Sequence, residues 1–410
     1  MSIKWQVSGR VLLPLLTIVL VIGAVFLVAA DESTVPIKLG AVNPLGDITG
    51  AQMTKAMQLA VDEINAAGGV LGRPLKLIVM DSEFNPAKGA AAIEKLVTVD
   101  KVDILIGGMS SGVHMGEIPI LKKYQKITVW AGAASHICEN ALKGCDWYFH
   151  LHPWDYLQGK SYVKGWTDIV NKYPNIHIHK VFVAYEDGAF GTTSYQGTVA
   201  AFKDWAVSGE SFKSAALGGG DYTAVLQHAK AANPDLFLWI GYGADALPIM
   251  EQAKAIGFEP PIFVGSPPGW PVGFGKSPLA NDVVLYGMWA PSMKNVNPVS
   301  KHFWDAYIAK YHEEPATYFC PLGYTNVYIV AQAIERAGTL DKEALIKALE
   351  ETKYDSPLGE TVTFTPSNVI KHQGFQGQKI LQWQDGEQQV IWPFEYATAD
   401  FVYPFHFGGE

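Results

Sequence analysis

From Ile37 onward, short apolar runs alternate with stretches in which apolar residues recur every three to four positions. The first run, "IKLGAV", predicts a strand. After a loop of Gly, Pro and Asp, the residues Met53, Met57, Ala60, Val61 and Ile64 share one face of a predicted helix that ends at "AAGG". The cycle repeats through strand "LKLIVM", helix "PAKGAAAIEKLV", strand "DILIGG", a helix around Ile118, Leu121 and Tyr124, and strand "ITVW". Such alternation predicts a parallel sheet covered by helices on both faces.

A second set starts after Gly159. It reads as helix 160–172, strand "VFVAY", helix 191–207, a short strand near "SFKSAAL", and a helix "YTAVLQHAKAA" capped by Asp221. Strand "DLFLWI", helix 245–256 and strands "PIFVG" and "VVLYGMW" follow. Helices are then predicted over 298–312, 322–337 and 341–351. The chain closes on "KILQWQDGEQQVIWP", two alternating runs around Asp385-Gly386, the pair that suits the positive φ values of a type I′ hairpin. Two α/β lobes, with the late helices returning to one and the hairpin to the other, describe a two-lobed clamshell.

Length supports this, since 410 residues exceed one ordinary core. A net charge of -9 without a basic stripe argues against a nucleic-acid partner. Lys4 and Arg10 precede an uncharged run, Val11 to Ala30, that ends in small residues. Residues 1–30 therefore read as a signal peptide or a retained N-terminal membrane anchor, and both readings put the remainder outside the cytoplasm. In that oxidising setting "CENALKGC" is expected to close a Cys138–Cys145 bridge, leaving Cys320 buried and free. His150 and His152 share a face of a predicted strand, but no third ligand is near, so no metal is expected. No cofactor is expected either.

One loop invites a catalytic reading. Gly108-Met109-Ser110-Ser111-Gly112 spells G-x-S-x-G between a predicted strand and helix, as a nucleophile elbow would. A hydrolase using Ser110 would then need Asp187 or Asp282 with His372, and an oxyanion-donor loop that the sequence before the strand does not supply. The same geometry also makes an anion site: hydroxyls and glycine-freed N–H groups at the positive end of a helix. Ser110 and Ser111 are the candidates for such a site. For Ser111 the plain alternative is a helix cap.

The order of "IKLGAVNPLGDITGAQMTKAMQLAVDEINAAGG", "LGRPLKLIVMDSEFNP", "DILIGGMSSG", "FGTT", "DYTAVLQHAKAANPDLFLWIGYGADA" and "YTNVYIVAQAIERAG" resembles type I periplasmic solute-binding proteins of the branched-chain amino acid ABC-transporter group. The resemblance spans about residues 37 to 395. It implies two Rossmann-like lobes joined by a three-crossing hinge. Lobe 1 is expected at 37–156 and 291–366, and lobe 2 at 157–290 and 367–400. It also implies ligand capture by hinge closure and delivery to ABC-transporter permease subunits, with no catalysis.

Carried onto this chain, the resemblance places Ser111 at the family's carboxylate contact. "WAGAAS", Trp130 to Ser135, becomes the second half of that clamp, through the Ala133 backbone and the Ser135 hydroxyl. Phe190 and Tyr242 fall at the family's aromatic positions, and Trp130, Trp154 and Trp270 fall in loops just past strand ends. Family members that bind α-amino acids carry a Glu after the strand written here "PIFVG". This chain reads "GSPPGWP", with Pro267 or Pro268 at that position; Asp245 or Asp155 could substitute, but neither is at the matching position. A buried ammonium without a carboxylate is costly. The expected ligand is thus an aromatic or aliphatic carboxylate, ahead of a branched-chain amino acid. A ligand-presenting partner of a sensory receptor is the alternative role.

Overall fold

The computed structural model describes residues 35–271 and 273–408. The signal or anchor expected over 1–30 lies outside the described residues. Among the described residues no helix is long and apolar enough to cross a membrane.

Five parallel strands form the first sheet: β1 (Ile37–Asn43), β2 (Leu75–Asp81), β3 (Ile104–Gly107), β4 (Thr128–Trp130) and β5 (Tyr148–His150), in the order β2-β1-β3-β4-β5. Strands β3, β4 and β5 are buried at every residue, which is why they read as unbroken apolar runs. Between them run α1 (Ile48–Ala66), α2 (Pro86–Thr98), α3 (Ser111–Tyr124) and the short α4 (His136–Ala141). Polar caps set where the first two start. Asp47 accepts from the Thr49 N–H at 2.8 Å, and Asn85 precedes Pro86 and accepts from Ala87 N–H.

The second unit carries α5 (Asp155–Lys172), β6 (Lys180–Glu186), α6 (Ala189–Ala201), β7 (Ala206–Phe212), α7 (Thr223–Ala232), β8 (Leu236–Ile240), α8 (Ala246–Ala255), β9 (Ile262–Gly265) and β10 (Val284–Gly287). The chain then returns to the first sheet with α9 (Pro298–Tyr311), α10 (Phe319–Ala337) and α11 (Lys342–Glu350). Gly323 of α10 lies so close to α1 that a Cβ there would sit 2.7 Å from Met53. After the small pair β11 (Tyr354–Asp355) and β12 (Thr361–Val362), the hairpin β13 (Lys379–Gln384) and β14 (Glu387–Trp392) adds two antiparallel strands beside β10. Asp385 and Gly386 have φ of 51° and 85°, as the hairpin signal required.

The chain passes between the sheets three times, after β5, after β10 and before β13. Two of these passages pair with each other: His150 N–H donates to His372 O at 2.9 Å, and Phe375 N–H to Leu151 O at 2.9 Å. The third is tied in by the buried Lys379 ammonium, which donates to Met288 O at 3.0 Å and pairs with Glu360.

Three expectations move. The helix placed over 191–207 ends at Ala201, and the strand expected near "SFKSAAL" is β7, five residues earlier. β7 is an edge strand, and Ser208, Gly209, Glu210 and Ser211 hide its period. The helix expected from 160 starts at Asp155.

Candidate binding site

The strand–helix turn after β3 is shaped by glycine. Gly107 and Gly108 both take positive φ, 88° and 82°, and a Cβ on Gly108 would lie 1.9 Å from the Trp130 ring. Two buried asparagines hold this turn from below. Asn326 Oδ1 accepts from Gly107 N–H at 2.9 Å, and Asn43 Oδ1 accepts from Gly108 N–H at 3.1 Å. Ser110 is the N-cap of α3 in extended conformation, and its Oγ accepts only a long 3.5 Å contact from Val113 N–H. Ser111 Oγ accepts from two backbone N–H groups, Ala134 at 3.0 Å and Ser135 at 3.2 Å. With both lone pairs engaged, its remaining function is to donate its proton.

Ala133 closes the turn after β4 with φ of 71°, a conformation that costs a non-glycine residue about 1–3 kcal/mol. Its N–H donates to Met109 O at 2.7 Å, and its carbonyl meets His150 Nε2 at 2.9 Å. That carbonyl can only accept, so Nε2 carries the proton and Nδ1 accepts from the Tyr148 hydroxyl at 3.1 Å. Tyr148 in turn meets His114 Nε2 at 2.9 Å, and His114 Nδ1 meets Glu117 Oε2 at 3.1 Å. Burial lifts the Glu117 carboxyl above its usual range, which favours the neutral acid donating to His114. The chain is clamped by rings: Trp130 stacks on His114 at 4.7 Å and Trp154 on His150 at 3.7 Å.

Across the cleft stand residues just past the strands of the second sheet: Phe190 after β6, Tyr242 after β8, and Ser266 and Pro268 after β9. The acids near them are already bonded, within their own loops or to neighbouring ones. Glu186 accepts from Gly188 and Gly191 N–H, both at 2.6 Å. Asp245 accepts from Ala215 N–H at 2.7 Å, Tyr242 N–H at 2.7 Å, the Tyr222 hydroxyl at 2.5 Å and the Ser214 hydroxyl. Asp155 accepts from His136 N–H at 2.9 Å and Tyr156 N–H at 2.6 Å.

The space between the two walls is about 380 Å³, counting the part open to solvent. Met109, Ser110, Ser111, Ala133 and Ala134 line one side, and Phe190, Tyr242, Ser266 and Pro268 the other. His152, Gln158, Tyr318, Phe319 and Gln378 complete the lining. Among the described residues, no Asp, Glu, Lys or Arg belongs to it. His152 does not supply a charge: its Nδ1 donates to Pro153 O at 3.0 Å, and its Nε2 accepts from Tyr318 OH at 3.1 Å. Burial pushes its pKa down to about 4.

Of the residues expected from the sequence, Ser110, Ser111, Ala133, Phe190, Tyr242 and Pro268 come together in this lining. Trp130 and Ser135 do not. Trp130 packs beneath Gly108, and Ser135 Oγ caps α4, accepting from Ile137 N–H at 3.2 Å. Asp155 and Asp245 are likewise absent from it, their oxygens spent as described. His152 was singled out only as a metal candidate. Ser266 directly follows β9 and carried the same strand-end signal as Pro268, whereas Gln158, Tyr318, Phe319 and Gln378 had no local signal, because each reaches the cleft only through a packing of distant segments.

Two further readings are settled by partners. The Cys138–Cys145 bridge is not formed, and all three cysteines are free. The buried Cys138 thiol points inward to Ser111 O at 3.5 Å, while Cys145 sits half-buried in the turn after α4. The His372 proposed for a triad has both ring nitrogens engaged, with Tyr148 O at 3.2 Å and Glu350 Oε1 at 2.9 Å. The Ser110 hydroxyl instead faces the Tyr242 phenol.

Residues 36–388 match the family model described as "Periplasmic binding protein". The Leu/Ile/Val-binding protein homolog 7 of Brucella melitensis is 24% identical, over 93% of this chain and 97% of that protein. Among solved structures, the branched-chain amino acid transporter substrate binding protein LivJ of Streptococcus pneumoniae, in complex with isoleucine, is 25% identical. It superposes with a TM-score of 0.73 and covers 90% of this chain and all 100% of its own. A solute binding protein of an ABC transporter from R. palustris, in complex with benzoate, is 18% identical with a TM-score of 0.74, covering 92% of this chain and 100% of its own.

Proposed function

Because the chain belongs to the periplasmic binding protein family, we propose that it is the extracytoplasmic solute-binding component of an ABC importer. Its ligand is a small carboxylate with an apolar body, aromatic or aliphatic, and without an ammonium group. The carboxylate is received by Ser111 O–H and by backbone donors at the start of α3, where the helix dipole favours an anion. Phe190 and Tyr242 cover the body from the other side. Lobe 1 (37–156 and 291–366) and lobe 2 (157–290 and 367–400) close on it about the three passages of chain. Permease subunits receive the ligand from the closed form, and residues 1–30 export or tether the protein.

The observation that carries the ligand class is the acid-free lining of the cleft. An α-amino acid would bring its ammonium into a space where Pro268 stands and where Glu186, Asp245 and Asp155 are already bonded, at a desolvation cost of several kcal/mol. Isothermal titration with benzoate, cinnamate, hexanoate and leucine tests this. Micromolar binding of at least one simple carboxylate, and weaker binding of leucine, is expected. Leucine binding at micromolar concentration with none of the three acids bound would overturn it.

A further inference from the structure

Beside the cleft lies a second recess of about 230 Å³, counting the part open to solvent, and the two share Pro268 and Tyr318 as lining residues. Leu285, Trp270, Trp289 and Thr317 are among its walls. The indole N–H of Trp270, the indole N–H of Trp289 and the Thr317 hydroxyl are all buried and have no hydrogen-bond partner. Their residues are 3%, 2% and 3% exposed. A buried donor left unmade is expensive, and three around one small space are an accumulation that packing alone does not reward. The other unpaired indoles, Trp130, Trp154, Trp239 and Trp383, line neither space. Tyr286, on the same wall, is already satisfied, since its hydroxyl accepts from Trp166 Nε1 at 2.6 Å.

We infer that this chamber holds the far end of the ligand, and that this end carries a neutral oxygen acceptor. The inference rests on the reading of the main cleft as a carboxylate site. Indole N–H groups only donate, so an apolar tail, or one ending in an ammonium that itself only donates, would leave them unpaired. A phenolic, ether or keto oxygen matches two indoles and a hydroxyl in uncharged surroundings. The ligand class narrows to an aromatic acid with an oxygen substituent remote from its carboxylate. Its carboxylate lies at Ser111, its body passes Pro268 and Tyr318, and its distal oxygen ends among Trp270, Trp289 and Thr317.

Titration calorimetry with three probes tests this: benzoate, which fills only the main cleft, cinnamate, and 4-hydroxycinnamate. The full chain is expected to prefer 4-hydroxycinnamate over cinnamate by about tenfold, the yield of one well-made hydrogen bond to a buried donor. In Thr317→Val and in Trp289→Phe the preference is expected to shrink to about twofold or less. Circular dichroism identifies a variant that has not folded, and the near-isosteric Thr317→Val serves alone if Trp289→Phe fails. Benzoate binding without any preference for the hydroxyl, or a preference that survives in both variants, overturns the chamber assignment and leaves the carboxylate reading standing. Binding of none of the three probes overturns both.

Discussion

On the first-sheet side of the cleft, the turns after β3 and β4 present small polar groups whose backbone is pinned from beneath. Asn43, Asn326 and His150 hold Gly108, Gly107 and Ala133 in positive-φ conformations. On the second-sheet side, the turns after β6, β8 and β9 present rings and a proline, and the acids behind them are consumed by their own and neighbouring loops. Both walls occupy the same topological position, the carboxyl edge of parallel strands. What differs is the layer underneath. Buried side chains spent on holding a backbone turn leave that wall's donors fixed in place, and buried side chains spent on holding a loop leave the other wall apolar. A pre-set donor wall suits an anionic head, and a ring wall suits an apolar body, without either wall carrying a charge.

The comparison breaks most visibly at Gly108. Gly108→Ala forces a Cβ into the Trp130 indole at positive φ, and a loss of about 3 kcal/mol or more is expected in urea unfolding. Phe190→Ala, its counterpart on the ring wall, removes a half-buried side chain and is expected to cost under about 2 kcal/mol while weakening benzoate binding. Equal losses of stability would mean that the two walls are supported alike.

Next in size is a pH effect from His152. Its pKa is about 4 in the folded chain against 6.5 when exposed, so between those values the unfolded chain binds the proton and the folded chain does not. Stability therefore falls as pH drops from about 6.5 toward 4, by up to about 3 kcal/mol at 1.36 kcal/mol per unit. Glu117 and Asp155 work in the opposite sense, because burial raises their carboxyls and the folded chain binds those protons more tightly. The histidine's share is the difference between the wild type and His152→Gln, measured by urea unfolding at pH 7 and pH 4.5. Parallel pH curves for the two proteins would refute it.

Smaller effects separate the two serines. Ser111→Ala leaves the Ala134 and Ser135 N–H groups without their acceptor and removes the free hydroxyl proton. It is expected to cost about 1–2 kcal/mol of stability and about tenfold in benzoate affinity. Ser110→Ala loses one long capping contact, worth about 0.5–1 kcal/mol, with a lesser effect on affinity. The reverse order in calorimetry would move the carboxylate to Ser110. The smallest effect is at the thiols: dithiothreitol is expected to leave Tm unshifted, and three thiols should react with Ellman's reagent after unfolding.

Much of the fold was readable along the chain. Unbroken apolar runs marked β3 and β8 because helices cover both faces of their sheets, and Asp385-Gly386 marked the hairpin because its turn requires positive φ. β7 was misplaced because an edge strand is under no pressure to alternate. The cleft was half legible. Ser110, Ser111, Ala133, Phe190, Tyr242 and Pro268 sit directly after strands, where the topology itself makes a site. Ser135 and Trp130 follow a strand just as closely, yet one turned to cap a helix and the other filled the space under a glycine.

By itself, then, the sequence determined the order of elements, the parallel core of each sheet and the proline in place of an acid after β9, because periodicity and backbone preference act over a few residues. Only the tertiary structure decided which distant residues meet. Gln378 and Tyr318 reach the cleft from the far end of the chain, His150 props Ala133 through a relay that begins at Glu117, and Cys138 turns to Ser111 rather than to Cys145. A local pattern reports that a side chain is buried. Against what it is buried is set by the packing of segments hundreds of residues apart, and that is where the chemistry of the cleft resides.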